Sequence, residues 1–371
     1  MSSSMPDFAA PGLFARRPAW RSVPAEVRLA VEQVLGARMC ASRDVSGGMS
    51  PGPAAIVELA DGRRVFVKAV AASASSESHR FYKQEAVVLA ALPRSVPAPR
   101  LLGVTEVGDW CALVMTAAEG VPAGPPWTDD GIRLVTAACE TLAGIAAPPV
   151  LPPIADLLTD LDGWHRLLTE HPGRLDPWER EHAPALARLS AGWPQWTAGR
   201  TLVHQDIRAD NAVIDPGPEP ADIPSTAAAP ASAAVPGLAA IVGPRESTAG
   251  AGGRVVLVDW SFGCAGADWL DRARLAADIV GSGHHDGPAA ALEAARRVLG
   301  TLPGGAGRFV AALGGMWRYR SVLPAPPGHP TLRGWQRARA QAVRGLLEVL
   351  IEPSHPARPC DAAGRTGFAA R

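Results

Sequence analysis

The hydrophobic pattern changes period along the chain. Residues 24–39 carry Val27, Leu29, Ala30, Val31, Val34 and Leu35 at helical spacing, with Pro24 suited to a first turn, so the spacing predicts an amphipathic helix. Residues 54–59 and 64–70 are instead short β-type runs, and the Asp61-Gly62 pair between them is the strongest hairpin signal in the chain. The run Ser46-Gly47-Gly48-Met49-Ser50-Pro51-Gly52-Pro53 precedes them as a flexible turn between two strands. A helix over 78–92 and strands over 101–105 and 110–116 complete a small antiparallel sheet with one inserted helix. From Trp127 onward the helical period dominates, over 128–146, 154–169, 177–189, 268–280, 288–299, 308–320 and 332–351. Short β-type runs return at 201–203, 212–214 and 255–258.

This order predicts an α+β, bilobal architecture: a small antiparallel β-sheet lobe followed by a larger, mainly helical lobe. We expect the lobes at 24–118 and 119–353, with flexible tails at 1–23 and 354–371. Residues 216–253, rich in Ala, Pro, Gly and Ser, are expected to be a disordered insertion, because an ordered loop of that length is rare inside a compact domain.

Composition narrows the class. With 371 residues, 47% hydrophobic and 19% charged, the chain has apolar material for a real core. Thirty-six basic against thirty-six acidic residues give no net charge, so no overall field points to nucleic acid or a membrane surface. The five cysteines form no C-x-x-C pair, which reads as a reducing compartment without structural zinc. The first 21 residues hold no apolar stretch of signal-peptide length, and the uncharged run 225–244 is too weakly hydrophobic and proline-broken to span a bilayer. A cytoplasmic protein with no nucleic-acid, membrane or protein partner is the expectation.

Chemistry concentrates in a few places. Val203-His204-Gln205-Asp206-Ile207-Arg208-Ala209-Asp210-Asn211 fits H-x-D-x-x-x-x-N, a pattern in which the Asp faces an acceptor hydroxyl and the Asn binds magnesium. Asn211 is the only asparagine in the chain. Taken alone, Asp206, Asp210 and Asn211 also suit an ordinary turn. Val255-Val256-Leu257-Val258-Asp259 is an apolar strand ending in a carboxylate, a candidate metal ligand beside the Asn-bearing strand. Lys68 ends the Val65-Phe66-Val67 run and is one of two lysines against 34 arginines. Its ammonium suits a phosphate clamp paired with Glu85 on the next helix, with Glu77 a weaker partner. Turn, lysine, glutamate helix, H-x-D-x-x-x-x-N and Val-Asp follow one another in kinase order.

At these residues the sequence resembles the aminoglycoside phosphotransferase and choline kinase family, small-molecule kinases with a protein-kinase-like fold. Val258-Asp259-Trp260 followed by Gly266-Ala267-Asp268-Trp269-Leu270-Asp271 is similar to that family's I-D-W and G-x-x-x-x-D segment. The resemblance implies ATP and Mg2+ as cofactors and a small-molecule hydroxyl acceptor such as an aminoglycoside-like antibiotic, sugar or amino alcohol. It implies Asp206 as catalytic base and Asn211 and Asp259 as metal ligands. Lys68 and Glu85 would clamp phosphate, the turn with Gly47, Gly48 and Ser50 would cover the nucleotide, and 114–118 with Met115 and Ala117 would meet the adenine. His204 reads as loop-shaping, and Asp268 and Asp271 as structural. Two departures from the family pattern, Gln205 for a frequent Gly and Arg208 for a frequent His, bear on the acceptor.

Charge bears on it too. Residues 128–200 hold ten acids and six arginines, whereas 261–371 hold eight acids and fourteen arginines, which argues against a strongly cationic substrate. Nine of the eleven tryptophans follow residue 126, as core or as the floor of a pocket. Two rivals are a non-catalytic nucleotide-binding regulator with this fold and a protein kinase. The missing activation segment disfavours the latter.

Overall fold

The computed structural model describes residues 17–215 and 253–351. The expected tail beyond 353 and the expected insertion, apart from residue 253, lie outside them, as does most of the N-terminal tail. Residues 17–23 do not behave as a tail. Trp20 and Val23 are buried, because their side chains complete the apolar cluster under the first helix and its sheet.

Helix α1 (Ala25–Leu35) stops short of residue 39, since Gly36 takes the left-handed conformation at φ 66° and terminates it. The residues after it form β1 (Met39–Asp44), the strand before the glycine-rich turn to which the sequence reading gave no bounds, paired antiparallel with β2 (Ala54–Leu59). The Asp61-Gly62 turn joins β2 to β3 (Arg64–Ala71) as expected. Helix α2 (Ser76–Ala91) is started by the Ser75 hydroxyl, which accepts the Ser78 amide. Strands β4 (Leu101–Val107) and β5 (Trp110–Thr116) close a five-stranded sheet of order β1-β2-β3-β5-β4, antiparallel throughout.

The large lobe begins with β6 (Val121–Pro122) and α3 (Asp129–Ala143). The single helix expected over 154–169 is two, α4 (Ile154–Leu157) and α5 (Gly163–Glu170). In the break, Asp160 is drawn to Arg166 at 2.7 Å and Arg320 at 2.8 Å, tertiary ion pairs that local periodicity does not encode. Helices α6 (Pro177–Ser190) and α7 (Trp193–Trp196) lead to β7 (Thr201–Val203), and β8 (Ala212–Asp215) and β9 (Arg254–Leu257) pair antiparallel. After β10 (Cys264–Gly266), which pairs with β7, come α8 (Leu270–Ser282), α9 (Pro288–Gly300) and α10 (Gly305–Arg320). The expected last helix is also split, into α11 (Leu332–Ala342) and α12 (Arg344–Ile351) around fully buried Val343.

Helices α8 and α10 are the centre of this lobe, buried over almost their whole length. Helix α5 approaches α10 so closely that a Cβ at Gly163 would lie 2.3 Å from the Gly315 carbonyl, so backbone meets backbone there. Trp127, Trp164 and Trp260 are fully buried core residues. No helix among the described residues is long and apolar enough to cross a membrane.

Candidate functional site

The segment between β7 and β8 carries no regular structure until the single turn at Ala209–Asn211, so something else must hold it. Helix α8 does. Asp271, Arg274 and Asp278 fall at i, i+3 and i+7, one face of a helix, and all three are buried. The Asp271 carboxylate accepts the amides of His204 and Gln205, each at 2.8 Å. Arg274 Nη2 donates to Asp206 Oδ1 at 2.9 Å, and Asp278 Oδ2 accepts the Ala209 amide at 2.9 Å and the Trp127 indole at 3.0 Å. Three charged side chains of one helix thus replace the backbone ladder the segment lacks.

His204 shapes the same loop. Its Nδ1 accepts the Asp206 amide at 3.2 Å, so the ring proton sits on Nε2, which meets the Val258 carbonyl at 3.0 Å. That bond ties the loop to the end of β9. The ring also stands edge-on to Trp260, centroids 4.5 Å apart. Gln205 takes φ 71° and Asp259 φ 65°, the two non-glycine residues in left-handed backbone among those described. Such strain persists where surrounding bonds over-determine it.

Asp206 is buried within a ring of donors. Asn211 Nδ2 donates to its carbonyl and to its Oδ2, each at 3.0 Å, and Arg208 Nη1 lies 3.5 Å from Oδ2. Burial alone would raise the carboxyl, but Arg208 and Arg274 outweigh it and hold the group below the ordinary carboxylate range. Arg208 is itself locked by two bonds to Asp210, at 3.0 and 3.1 Å, and one to Asn211 Oδ1 at 3.3 Å. Burial opposes the Arg208 charge, yet Asp206 and Asp210 raise its pKa above the ordinary value.

Across the cleft, Lys68 on β3 pairs with Glu85 on α2, both buried, and Lys68 Nζ lies 3.6 Å from Asp259 Oδ1. Burial disfavours the ammonium, but the Glu85 and Asp259 carboxylates raise it above its usual value. Asp259, whose side chain is 42% exposed, is pulled down to about 2 against the effect of burial by Lys68 and by the Ser261 hydroxyl, which donates to Oδ1 at 2.7 Å. Ser261 Oγ also reaches Glu85 Oε2 at 3.4 Å, joining the clamp to the carboxylate.

The glycine-rich turn lies over this side. Gly47 and Gly48 take φ 95° and 74°, and Ser50 Oγ bonds the Tyr82 hydroxyl at 2.8 Å. Arg17 threads under the turn, its Nε donating to the Gly47 carbonyl at 2.6 Å and its Nη1 to the Gly52 carbonyl at 2.9 Å. From the large lobe, His329 reaches the same turn, Nδ1 meeting the Met49 carbonyl at 3.0 Å.

A cleft of about 550 Å3 lies between the lobes, within the usual range for a small-molecule site. Ser50, Lys68, Asp206 and Asp259 line it. Gly47, Glu85 and Asn211 are joined to that lining through the contacts above, and Gly48 follows Gly47 in the turn. Met115 is buried in the core and Ala117 follows β5, and neither lines the cleft. Asp271 supports the loop as expected, whereas Asp268 is exposed. Sequence reading missed Arg17, Ser261 and Arg274. Only Arg274 carried a signal, a charge set between Ala273 and Leu275-Ala276-Ala277 in an otherwise apolar stretch.

Residues 45–221 match the family model of the phosphotransferase enzyme family. No curated protein matches the chain. Among solved structures, a choline/ethanolamine kinase family protein from Mesorhizobium loti is 13% identical, with 87% of this chain and 94% of that one covered at a TM-score of 0.52. An aminoglycoside-3'-phosphotransferase of type VIII is 16% identical over 78% of this chain and 98% of its own, TM-score 0.46. An amicoumacin kinase in complex with AMP-PNP, Ca2+ and Ami is 9% identical over 84% and 92%, TM-score 0.49. At these identities the likeness is one of fold, and it is the Mesorhizobium loti protein that carries it. Match and fold together support kinase-like phosphotransfer, and the chain's resemblance to the aminoglycoside phosphotransferase and choline kinase family, with its protein-kinase-like architecture, is borne out.

Proposed function

We propose that the chain is an ATP- and Mg2+-dependent phosphotransferase that moves the γ-phosphate to a hydroxyl of a small molecule. The observation that carries this is the meeting of two constellations from opposite lobes on one cleft. Lys68 with Glu85 comes from the small lobe and Asp206, Asn211 and Asp259 from the large one, and Lys68 Nζ lies 3.6 Å from Asp259 Oδ1 across the cleft.

Asn211 and Asp259 fit a divalent cation by donor chemistry, an amide and a carboxylate oxygen, both hard. Because Asn211 Nδ2 is committed to Asp206, its Oδ1 is the oxygen left to coordinate, and the long 3.3 Å bond from Arg208 is what a cation would displace. Held by Asn211 and Asp259, Mg2+ would supply neutralisation of the charge on the phosphates. Lys68, held by Glu85, offers the phosphates a fixed ammonium. Asp206 accepts the acceptor hydroxyl. The acceptor's hydroxyl oxygen forms the new bond to the γ-phosphorus, the bond to the β–γ bridging oxygen breaks, ADP leaves, and the hydroxyl proton passes to Asp206 or onward to water. A carboxylate as weakly basic as Asp206 serves chiefly to orient the hydroxyl, so catalysis rests on positioning and charge neutralisation.

The test is thermal stabilisation by AMP-PNP with Mg2+, run beside ADP release over a panel of hydroxyl compounds. Stabilisation with ADP release on one acceptor class supports the reading. Stabilisation with no transfer to any acceptor points to a nucleotide-binding regulator, and no stabilisation removes the reading.

A further inference from the structure

The acceptor side of the cleft is built from side chains the reaction itself does not use. Trp317 and Trp335 line it, in edge contact at 6.3 Å between centroids. Aromatic faces are the usual seat for a quaternary or protonated amine. Here they are already taken. The Arg274 guanidinium lies 5.0 Å from the Trp317 ring, while Arg208 and Arg339 lie 5.7 and 5.0 Å from Trp335.

Two acids of this wall are committed as well. Asp160 is shared by Arg166 and Arg320, and Asp206 by Arg208 and Arg274. Among the described residues, Arg80 and Arg333 line the cleft with no carboxylate within ion-pairing distance, the Arg333 guanidinium donating instead to the Pro324 carbonyl and Gln336, and Asp156 has no cationic partner. Two donors are left over beside the reacting hydroxyl. Arg274 Nη1 and Gln205 Nε2 are buried without a hydrogen-bond partner, and both residues line the cleft and are more than nine-tenths buried. An orphaned buried donor is costly, and more so on a cation, unless a ligand completes it.

We infer that the acceptor is a hydroxy compound that carries its own oxyanion, a carboxylate or a phosphate monoester, which Arg274 Nη1 receives while the hydroxyl lies at Asp206. This rests on the phosphotransferase reading and names the substrate class of that site. It separates the chain from acceptors that are polycations or quaternary amines, which would have to compete with the guanidinium groups already seated at Trp317 and Trp335.

The experiment uses the full chain at fixed ionic strength. Melting is followed with D-gluconate against D-glucitol and with glycerol 3-phosphate against glycerol, and with choline and kanamycin alongside, each with and without MgATP. ADP release is recorded on the same compounds. We expect an anionic member to stabilise the chain and to be bound about 10- to 100-fold more tightly than its uncharged partner, the strength of one charge-assisted hydrogen bond. The two pairs distinguish carboxylate from phosphate. In Arg274→Lys, which keeps the charge beside Asp206 but not the fork, that preference shrinks toward unity while stabilisation by MgATP persists. Arg333→Gln, at a residue that makes no hydrogen bond to Asp206, weakens the anionic members without changing the uncharged ones. Stronger binding of choline or kanamycin, or no stabilisation by either anion, overturns the inference and leaves the kinase reading standing. An anion response without any MgATP response removes the kinase reading and keeps the anion site.

Discussion

Arg274 Nη2 and Asp206 Oδ1 stand 2.9 Å apart, both side chains at least nine-tenths buried, although 68 residues separate them in the chain. The pair locks the proposed base to helix α8, so catalytic geometry and lobe stability share one contact. Asp206→Ala should therefore fail twice. It leaves Arg274 and Arg208 without their shared carboxylate in the interior, at a cost of about 3–5 kcal/mol, and it removes turnover. Asp206→Asn keeps the shape and should cost less stability while still lowering kcat by about 10²–10⁴-fold. Guanidinium unfolding and ADP release on the two variants check this. An asparagine variant with near-normal turnover would sink the assignment of Asp206.

Much of this arrangement was legible in the chain because it is carried by short-range signals. H-x-D-x-x-x-x-N, the strand ending in Asp259 and the lone lysine after Val65-Phe66-Val67 each sit within a few residues, and turn chemistry at Asp61-Gly62 placed the hairpin. What stayed hidden depends on distant partners. Arg274 and Arg17 act on residues 68 and about 30 positions away, and no local period marks such a reach. The bounds of strand β1 were obscured by the run of apolar residues before it, although Gly36, the residue that ends the helix, was in plain view. The breaks in the helices over 154–169 and 332–351 follow from Asp160 and Val343 meeting other helices, which periodicity alone does not register.

Lys68 is enclosed by Glu85, by Asp259 at 3.6 Å and by the Tyr82 ring at 4.5 Å. A guanidinium is wider and planar, so Lys68→Arg is not a conservative change here despite the preserved charge. The variant should lose MgATP affinity by about tenfold or more, roughly 1.4 kcal/mol, read by titrating thermal stabilisation against nucleotide. Unaltered nucleotide binding would show that Lys68 does not meet the phosphates.

Arg17 joins the Gly47 and Gly52 carbonyls, one on each limb of the glycine-rich turn. Each bond from a charged donor is worth about 1.5–3 kcal/mol when buried and less where water competes. Arg17→Ala should raise the KM for ATP several-fold while leaving kcat nearly unchanged, because the residue fixes the loop and not the reacting groups. A fall in kcat with an unchanged KM would contradict that role.

Asp259 gives a pH signature. Its folded value of about 2 lies below the ordinary 3.8, so the stability it contributes is complete above about pH 4 and is lost as pH falls toward 2. Asp206, also held low, adds to the same loss. Asp271 works in the opposite sense, since burial raises its carboxyl. The comparison that isolates Asp259 is Asp259→Asn against the parent chain. Between about pH 5 and about pH 3, the variant should lose less unfolding free energy than the parent. Parallel acid losses would mean that Lys68 does not hold Asp259 ionised.

Gln205 offers the most direct separation of stability from selection. Its backbone is left-handed at φ 71°, a conformation that costs a non-glycine residue about 1–2 kcal/mol, and its side-chain amide nitrogen is buried without a partner. Gln205→Gly removes both penalties, and the Asp271 carboxylate still holds the residue's amide at 2.8 Å, so the loop has no reason to move. The variant should unfold at higher denaturant, by about 1 kcal/mol after the loss of side-chain packing. The same change deletes a donor beside Asp206, so acceptor KM should rise while stabilisation by MgATP is unaffected. A destabilised variant would show instead that the glutamine side chain, through its packing, is what holds the loop in its strained form.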